Sequence, residues 1–321
     1  MSDLDLAQSA PVQQAAQTEP QEHGLFHPSV LIPFLLVSLI WGSTWLVIKG
    51  QLGSVPPSWS VTYRFTVAAI GMFLLTLVMR QSLRMERKAH GWAMVIGFVQ
   101  FGLNFNFVYA AEEYITSGLV AVLFALLIVP NALLGKWWLG RPVAKVFWVG
   151  SAIATIGVGL LILREYRFAP VDARSVLIGA AFTLIAVMTA SISNVLQASD
   201  RFTRFPITTV LAWSMLYGAV GNGLWSLYRF GAPQAEWTLN YLGGIAYLAI
   251  IGSVVTFPLY FRLVRDIGPG KAAYTSVFIP VVAMGLSTVF EGYVWSMLAA
   301  AGAVLVMAGM FIAMQAAKPA R

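Results

Sequence analysis

The sequence predicts an all-α integral membrane protein whose ten transmembrane helices form two inverted five-helix repeats. Three observations predict it. Of the 321 residues, 59% are apolar and 10% are charged, against about 25% charged in an ordinary soluble domain. The apolar residues come in long, seldom interrupted blocks, and the mean hydropathy is +0.76. A soluble chain of this size has too little interior to bury so much apolar surface, whereas lipid is a solvent suited to it. The second observation is the alternation of basic and non-basic turns between the blocks. The third is a set of short matches at an offset near 150.

Along the chain, residues 1–28 come first. They are rich in Gln, Ala and Pro, contain no Lys or Arg and lack the basic start of a signal peptide. They are read as a disordered cytosolic tail. Crossing the hydrocarbon takes about 20 residues. Ten blocks meet that need, at roughly 30–49, 59–80, 91–110, 114–136, 146–163, 174–197, 206–228, 240–262, 270–290 and 293–315. The count rests on thin breaks: Glu112 and Glu113 separate the third and fourth blocks, and Glu291 and Gly292 the last two.

With the tail inside, the inner turns carry Arg80, Arg84, Arg87 and Lys88, then Lys136, Arg141 and Lys145, then Arg201 and Arg204, then Arg262, Arg265 and Lys271, and finally Lys318 and Arg321. That is 14 of the 20 basic residues; Lys49, Arg164, Arg167, Arg174 and Arg229 fall outside. The bias places both termini in the cytoplasm and requires an even number of spans.

The repeat is faint but recurrent. "PNALLGKWWLGRP" from Pro130 answers "PVVAMGLSTVFEGY" from Pro280. "GSAIATIGVGLLIL" from Gly150 answers "AAAGAVLVMAGMFIAM" from Ala299, and Pro57 of "PPSWSVTYRF" aligns with Pro206 of "FPITTVLAWS". The two repeats span 29–165 and 172–316, with a cytosolic C-terminus at 317–321. Five helices per half is an odd number, so the second half enters the membrane from the opposite side. Two such halves can exchange packings around a central site, as carriers do.

Other classes lack their signatures. The net charge of +7 comes with no nucleic-acid motif and is explained by orienting loops. No cysteine is present, so disulfide and thiolate chemistry are excluded. His23 and His27 lie in the tail and His90 stands alone, so no metal constellation forms and no cofactor is implied. No nucleophile–base pair or paired carboxylates suggest an enzyme. No Walker sequence suggests ATP, and no filter-like segment suggests a channel. The expected partners are the lipid bilayer, a small-molecule substrate and a coupling ion. Nothing requires more than a monomer.

Polar residues within the blocks are the candidate site. Arg64 lies about one and a half turns into the second block. It either snorkels to the outer interface, or gates against carbonyls or a substrate carboxylate, or pairs with an acid. Lys49 reads as an interfacial anchor. In "WGSTW", Trp41 and Trp45 share a face with Ser43 close by; they either pack helices or line a path. The third block carries Gln100, Phe101, Asn104, Asn106 and Tyr109. Its amides face either a cavity or a neighbouring helix. Asn131 follows Pro130, and the sixth block offers Ser191, Ser193 and Asn194. Pro130, Pro258 and Pro280 each free a carbonyl four residues back, producing a bend or a ligand contact. Lys271 is an anchor or an inner lid, and Tyr274 and Phe278 extend an aromatic wall. No carboxylate is expected at mid-membrane, which points away from dicationic drugs and towards neutral or zwitterionic solutes.

"WGSTWLVIK" at 41–49, "YRF" at 63–65, "YAAEEYITSGLVAVL" at 109–123, the Pro130 and Pro280 segments and the small-residue last helix of each half resemble the EamA-type branch of the drug/metabolite transporter superfamily, over about 30–315. The resemblance implies a bacterial inner-membrane carrier of ten helices that moves amino acids, aromatic ones among them, or small metabolites, often outward. Sugar derivatives and drugs are the alternative cargoes; a channel or a non-transporting scaffold is the alternative class. Arg141 stands in "LGRP" where family members often carry Leu-Gly-Glu, and "MTASIS" is a poor counterpart of "WGSTW".

Overall fold

Among the described residues every regular element is helical. The computed structural model describes residues 28–315 apart from 54, 141, 169–171, 200, 203, 261–262 and 264–274. The helices are α1 Pro28–Lys49, α2 Pro57–Val78, α3 Arg87–Tyr114, α4 Ser117–Leu139, α5 Lys145–Phe168, α6 Ala173–Gln197, α7 Ile207–Phe230, α8 Leu239–Tyr260, α9 Thr275–Phe290 and α10 Met297–Gln315. By length and composition, α1 to α6 and α8 suffice to cross a membrane; α9 and Met297–Ala313 of α10 are apolar but shorter. In α7 the polar residues Thr208, Thr209, Ser214, Asn222 and Ser226 are all buried within the protein. The N-terminal tail, the C-terminal residues, Arg141, Lys271 and Tyr274 lie outside the described residues.

Helix ends follow local chemistry. Pro56 and Pro206 occupy the N-cap positions of α2 and α7, where a missing N–H costs nothing. Asp172 caps α6 by accepting the Ser175 N–H at 2.7 Å. That bond, with help from the Ser175 hydroxyl and Arg174, holds the Asp172 carboxyl below the usual carboxylate range. The cap is therefore present at neutral pH and is lost as pH falls through the lowered value. Gly292 turns the chain between α9 and α10 at φ 68, which glycine adopts without strain.

The break between α3 and α4 falls later than the acidic pair suggested. Glu112 and Glu113 are helical, and the chain turns at Ile115, which is extended at φ −133 and ψ 166. Lys49 explains the stop: its ammonium donates to the carbonyls of Glu112 and Ile115. A cation at a helix C-terminus satisfies carbonyls that have no partner within the helix.

Three helices depart from α geometry. Pro130 removes the donor for Leu126, and a 3₁₀ turn covers Ala125–Leu127. Pro258 does the same to Val254, at the end of a π-helical stretch over Tyr247–Val255. There the Ser253 hydroxyl donates to Leu248 O, five residues back, at 2.9 Å. A second π-helical stretch covers Gly97–Asn104 of α3.

The helices pair across the two halves of the chain. α5 packs along α10, α2 along α7, α1 against α9, and α4 against α6; α3 meets α6 and α7, while α8 meets α2 and α1. The α5–α10 contact is backbone on backbone. A Cβ on Gly150 would sit 2.3 Å from Ala313 N, and one on Gly309 would sit 2.3 Å from Ala154 N. Small residues allow this closeness, which is the main source of helix attraction in lipid. At one end, Arg164 pairs with Glu165, lies over the Tyr293 ring at 4.8 Å and donates to Val294 O, tying α5 to the α9–α10 turn. Such a buried pair fixes geometry rather than adding much stability.

The α2–α7 seam is polar. Asn222 donates to Ser58 O at 2.7 Å and to Thr62 Oγ1 at 2.9 Å, and accepts from Asn106 Nδ2. Replacing Asn222 by leucine removes all three of these bonds from a buried seam, although Thr62 still donates to Ser58 O and Asn106 to Gly102 O. We expect a loss of about 1–3 kcal/mol of stability, measured as a lower unfolding midpoint in detergent. An unchanged midpoint would show that the seam is not part of what holds α2 to α7.

Candidate functional site

The buried polar groups gather where the C-terminal ends of α1 and α3 meet the N-terminal parts of α2 and α8. Arg64 is at the centre. It does not snorkel outward, because it flanks the buried stripe of α2 formed by Val61, Phe65, Ala68 and Met72, and it is 3% exposed. Its guanidinium carbon lies 4.4 Å from the Phe105 ring centre and 5.1 Å from that of Phe65. The Tyr109 hydroxyl adjoins it and Glu112 is within electrostatic reach. Nε and Nη1 have no hydrogen-bond partner among the described residues. Cation–π contact lowers the cost of the buried charge, but leaves two donors of the fork open.

A hydrogen-bonded chain surrounds the arginine. Tyr109 donates to Gln51 Oε1 at 2.8 Å, the Gln51 amide reaches Tyr241 O at 3.5 Å, and the Tyr241 hydroxyl meets Ser60 at 2.7 Å. Glu112, one turn beyond Tyr109, is fully buried, and neither carboxylate oxygen has a partner among the described residues. The expectation of no carboxylate at mid-membrane did not anticipate this buried acid, which lies two residues before the end of α3. The Glu291 carboxylate accepts from the Ser117 N–H at 3.1 Å and from the Ser117 hydroxyl, so it caps α4.

Aromatic rings lead from this cluster into the bundle. Phe105 meets Phe65 at 4.7 Å between centres, Phe65 meets Phe101 at 4.9 Å, and Phe101 meets Phe257 at 6.4 Å. Phe257 then meets Trp41 at 5.4 Å, and Trp41 meets Tyr260 at 5.1 Å. Trp41 also donates to Gly252 O at 3.2 Å, a carbonyl of the π-helical stretch, and Ser43 meets the Tyr247 hydroxyl at 2.7 Å.

Trp41, Ser43, Phe101, Tyr109 and Arg64 thus come together around α1, α2, α3 and α8. Trp45 packs on Phe124 of α4 at 5.2 Å, with its Nε1 buried and without a partner among the described residues. Other expected residues stand apart. The Asn104 amide donates to Ala186 O of α6 at 2.6 Å, which is the helix-to-helix alternative. Gln100 and Asn131 are half-buried, each with a side-chain oxygen that has no partner among the described residues. Ser191 is buried, its hydroxyl without a partner among the described residues, and Asn194 is half-buried. Phe278 is 46% exposed and pairs with Phe34 at 5.3 Å, so it does not extend the wall. Pro280 lines an apolar groove of about 340 Å³ between α9 and α10 with Met284 and Trp295. Sequence reasoning missed Gln51, Glu112, Tyr241, Tyr247 and Phe257. The spacing of Tyr109 and Glu112, three apart on one helical face, was the one available signal.

A family described as "EamA-like transporter family" matches residues 29–163 and 177–315. The uncharacterized transporter YoaV of Bacillus subtilis is 24% identical over 286 residues, covering 88% of this chain and 96% of that protein. A probable amino-acid metabolite efflux pump of Salmonella typhimurium is 25% identical over 289 residues, covering 87% and 92%. The uncharacterized inner membrane transporter YedA of Escherichia coli K12 is 27% identical over 258 residues, covering 79% and 80%. One crystal structure of a protein covers 91% of this chain and 99% of its own at 22% identity, with a TM-score of 0.64, a likeness in fold alone.

Proposed function

The chain belongs to the EamA-like transporter family of multi-pass membrane proteins, and from that premise we propose that it exports small neutral or zwitterionic metabolites, amino acids including aromatic ones foremost, from the bacterial cytoplasm by alternating access. The observation that carries the cargo class is Arg64. A buried guanidinium with two unpartnered donors fits a carboxylate, and the rings from Phe105 to Trp41 provide a surface for an aromatic or apolar side chain. The similarity to a probable amino-acid metabolite efflux pump of Salmonella typhimurium supports that cargo class.

In this reading the ten helices are two inverted repeats of five, α1–α5 and α6–α10, with both termini cytoplasmic. Several features support it. The helix pairings map onto themselves when five is added to each helix number. The π-helical stretches at Gly97–Asn104 and Tyr247–Val255, the cap prolines Pro56 and Pro206, and Pro130 and Pro280 all recur about 150 residues apart. Trp41, Ser43, Trp45, Phe101 and Tyr109 line the path. The prolines and π-helical stretches are the points at which helices bend between states.

The test is counterflow in proteoliposomes, screened over all amino acids and common metabolites. The expected result is saturable exchange of aromatic amino acids without unitary current. Large unitary current without counterflow would make the protein a channel. Absence of both with every solute would leave it without transport activity and overturn the proposal.

A further inference from the structure

We propose that the Glu112 carboxyl group is the second half of the cargo site, holding the cargo's ammonium group when cargo is bound and a proton when it is not. The inference rests on the carrier reading above and adds to it the group that selects a zwitterion over a plain anion.

Glu112 is buried at 0% exposure in the same cluster as Arg64, and both its oxygens lack a partner among the described residues. The cations nearby do not neutralise it by contact. Among the described residues the ion pairs within 4 Å are Arg164–Glu165 and Arg204–Glu86. Lys49 from α1 is occupied by the carbonyls of Glu112 and Ile115. Arg64 from α2 lies over Phe105 and beside Tyr109. Glu291, in the turn between α9 and α10, acts on Glu112 as a like charge while its own oxygens cap α4. On α3 itself the neighbours are Tyr109 and the exposed Glu113. α6 presents Gly179 and Phe182 to the end of α3, and neither titrates.

An ionised carboxylate in a dry interior needs a cation or hydrogen-bond donors. Among the described residues no hydrogen-bond donor and no cation in contact serves it, so a donor brought in with cargo would supply what it lacks. A zwitterion brings one, with its carboxylate on the Arg64 fork and its ammonium on Glu112. No covalent bond changes. The carboxyl group gives its proton to water as the ammonium takes its place, and regains one when cargo departs. Export of cargo is thereby linked to inward passage of a proton.

The experiment uses the full-length protein and L-phenylalanine, with N-acetyl-L-phenylalanine as a probe lacking the ammonium group. In weakly buffered detergent solution, binding of L-phenylalanine is expected to release about one proton per molecule. Its affinity should fall as pH falls, by about tenfold per unit once the carboxyl is protonated. The N-acetyl derivative should bind weakly and release none. Glu112→Gln should bind L-phenylalanine more weakly, release no proton and show equal affinity at pH 6 and pH 8. If L-phenylalanine exchanges in proteoliposomes but releases no proton, and the N-acetyl derivative exchanges equally well, this assignment is wrong while the carrier reading stands. Should L-phenylalanine fail to exchange while another solute does, this assignment is wrong and the carrier reading stands; should every solute fail, both are wrong. The wild-type proton count decides the matter even if Glu112→Gln does not fold.

Discussion

Arg64→Ala is expected to abolish most transport of carboxylate-bearing cargo while the protein still reaches the membrane. A charge-assisted hydrogen bond contributes about 1.5–3 kcal/mol, so losing one bond from the open Nε or Nη1 should weaken cargo binding by ~10- to 100-fold. Arg64→Lys is the sharper variant. It keeps the charge but loses the planar fork and the stacking on Phe105, so recovery should be partial. Counterflow per folded molecule, normalised to protein in the vesicles, is the measurement. Full activity in Arg64→Lys would mean that only charge matters there. Full activity in Arg64→Ala would remove Arg64 from the site and leave it as a packing residue.

The second large effect is structural. Gly309→Leu should stop α5 and α10 from packing as they do, because even a Cβ there would lie 2.5 Å from Gly150 O and 2.3 Å from Ala154 N. Overfilling a packed interface costs about 1–3 kcal/mol when neighbouring side chains can move. Here the obstruction is backbone, so the helices themselves must separate and the cost should reach at least the top of that range. Gly157→Leu meets Gly302 O and Val306 N at 2.6 Å and should behave alike. Gly159→Leu, on the same helix with nothing within 4 Å of its Cβ, is the control. Thermal unfolding in detergent should show a large drop for the first two and little change for the third. Equal midpoints in all three would contradict the close crossing of α5 and α10.

Much of the architecture was legible because lipid imposes a simple code. Apolar blocks of spanning length became helices whose edges differ from the blocks by a few residues, and the small-residue runs from Gly150 and Ala299 became the closest helix contact. The site was less legible, for identifiable reasons. Composition cannot tell a helix face turned to lipid from one turned to protein, so Arg64 was equally consistent with snorkelling and with burial. Glu112 next to Glu113 looked like a turn, since two adjacent acids normally end an apolar span; only Lys49, 63 residues away, shows how α3 continues past them. Asn104 offered an amide with no stated partner, and that partner proved to be a carbonyl of α6. Gln51 sits just past the end of α1 and had no periodicity to mark it, yet it connects Tyr109 to Tyr241. In each case the deciding contact spans a distance in sequence that local pattern does not encode.

In the proposed mechanism one cargo site is reached from one side of the membrane at a time. Because the chain contains no cysteine, single-cysteine variants report cleanly. Gln51→Cys marks the end of the bundle that holds Lys49 and Glu291. Tyr217→Cys marks the opposite end, where Tyr217 meets His90 at 2.9 Å. The measurement is the rate at which a water-soluble thiol reagent labels each variant, with and without saturating L-phenylalanine. The account predicts that cargo shifts the two rates in opposite directions. Rates that rise together or fall together would contradict it.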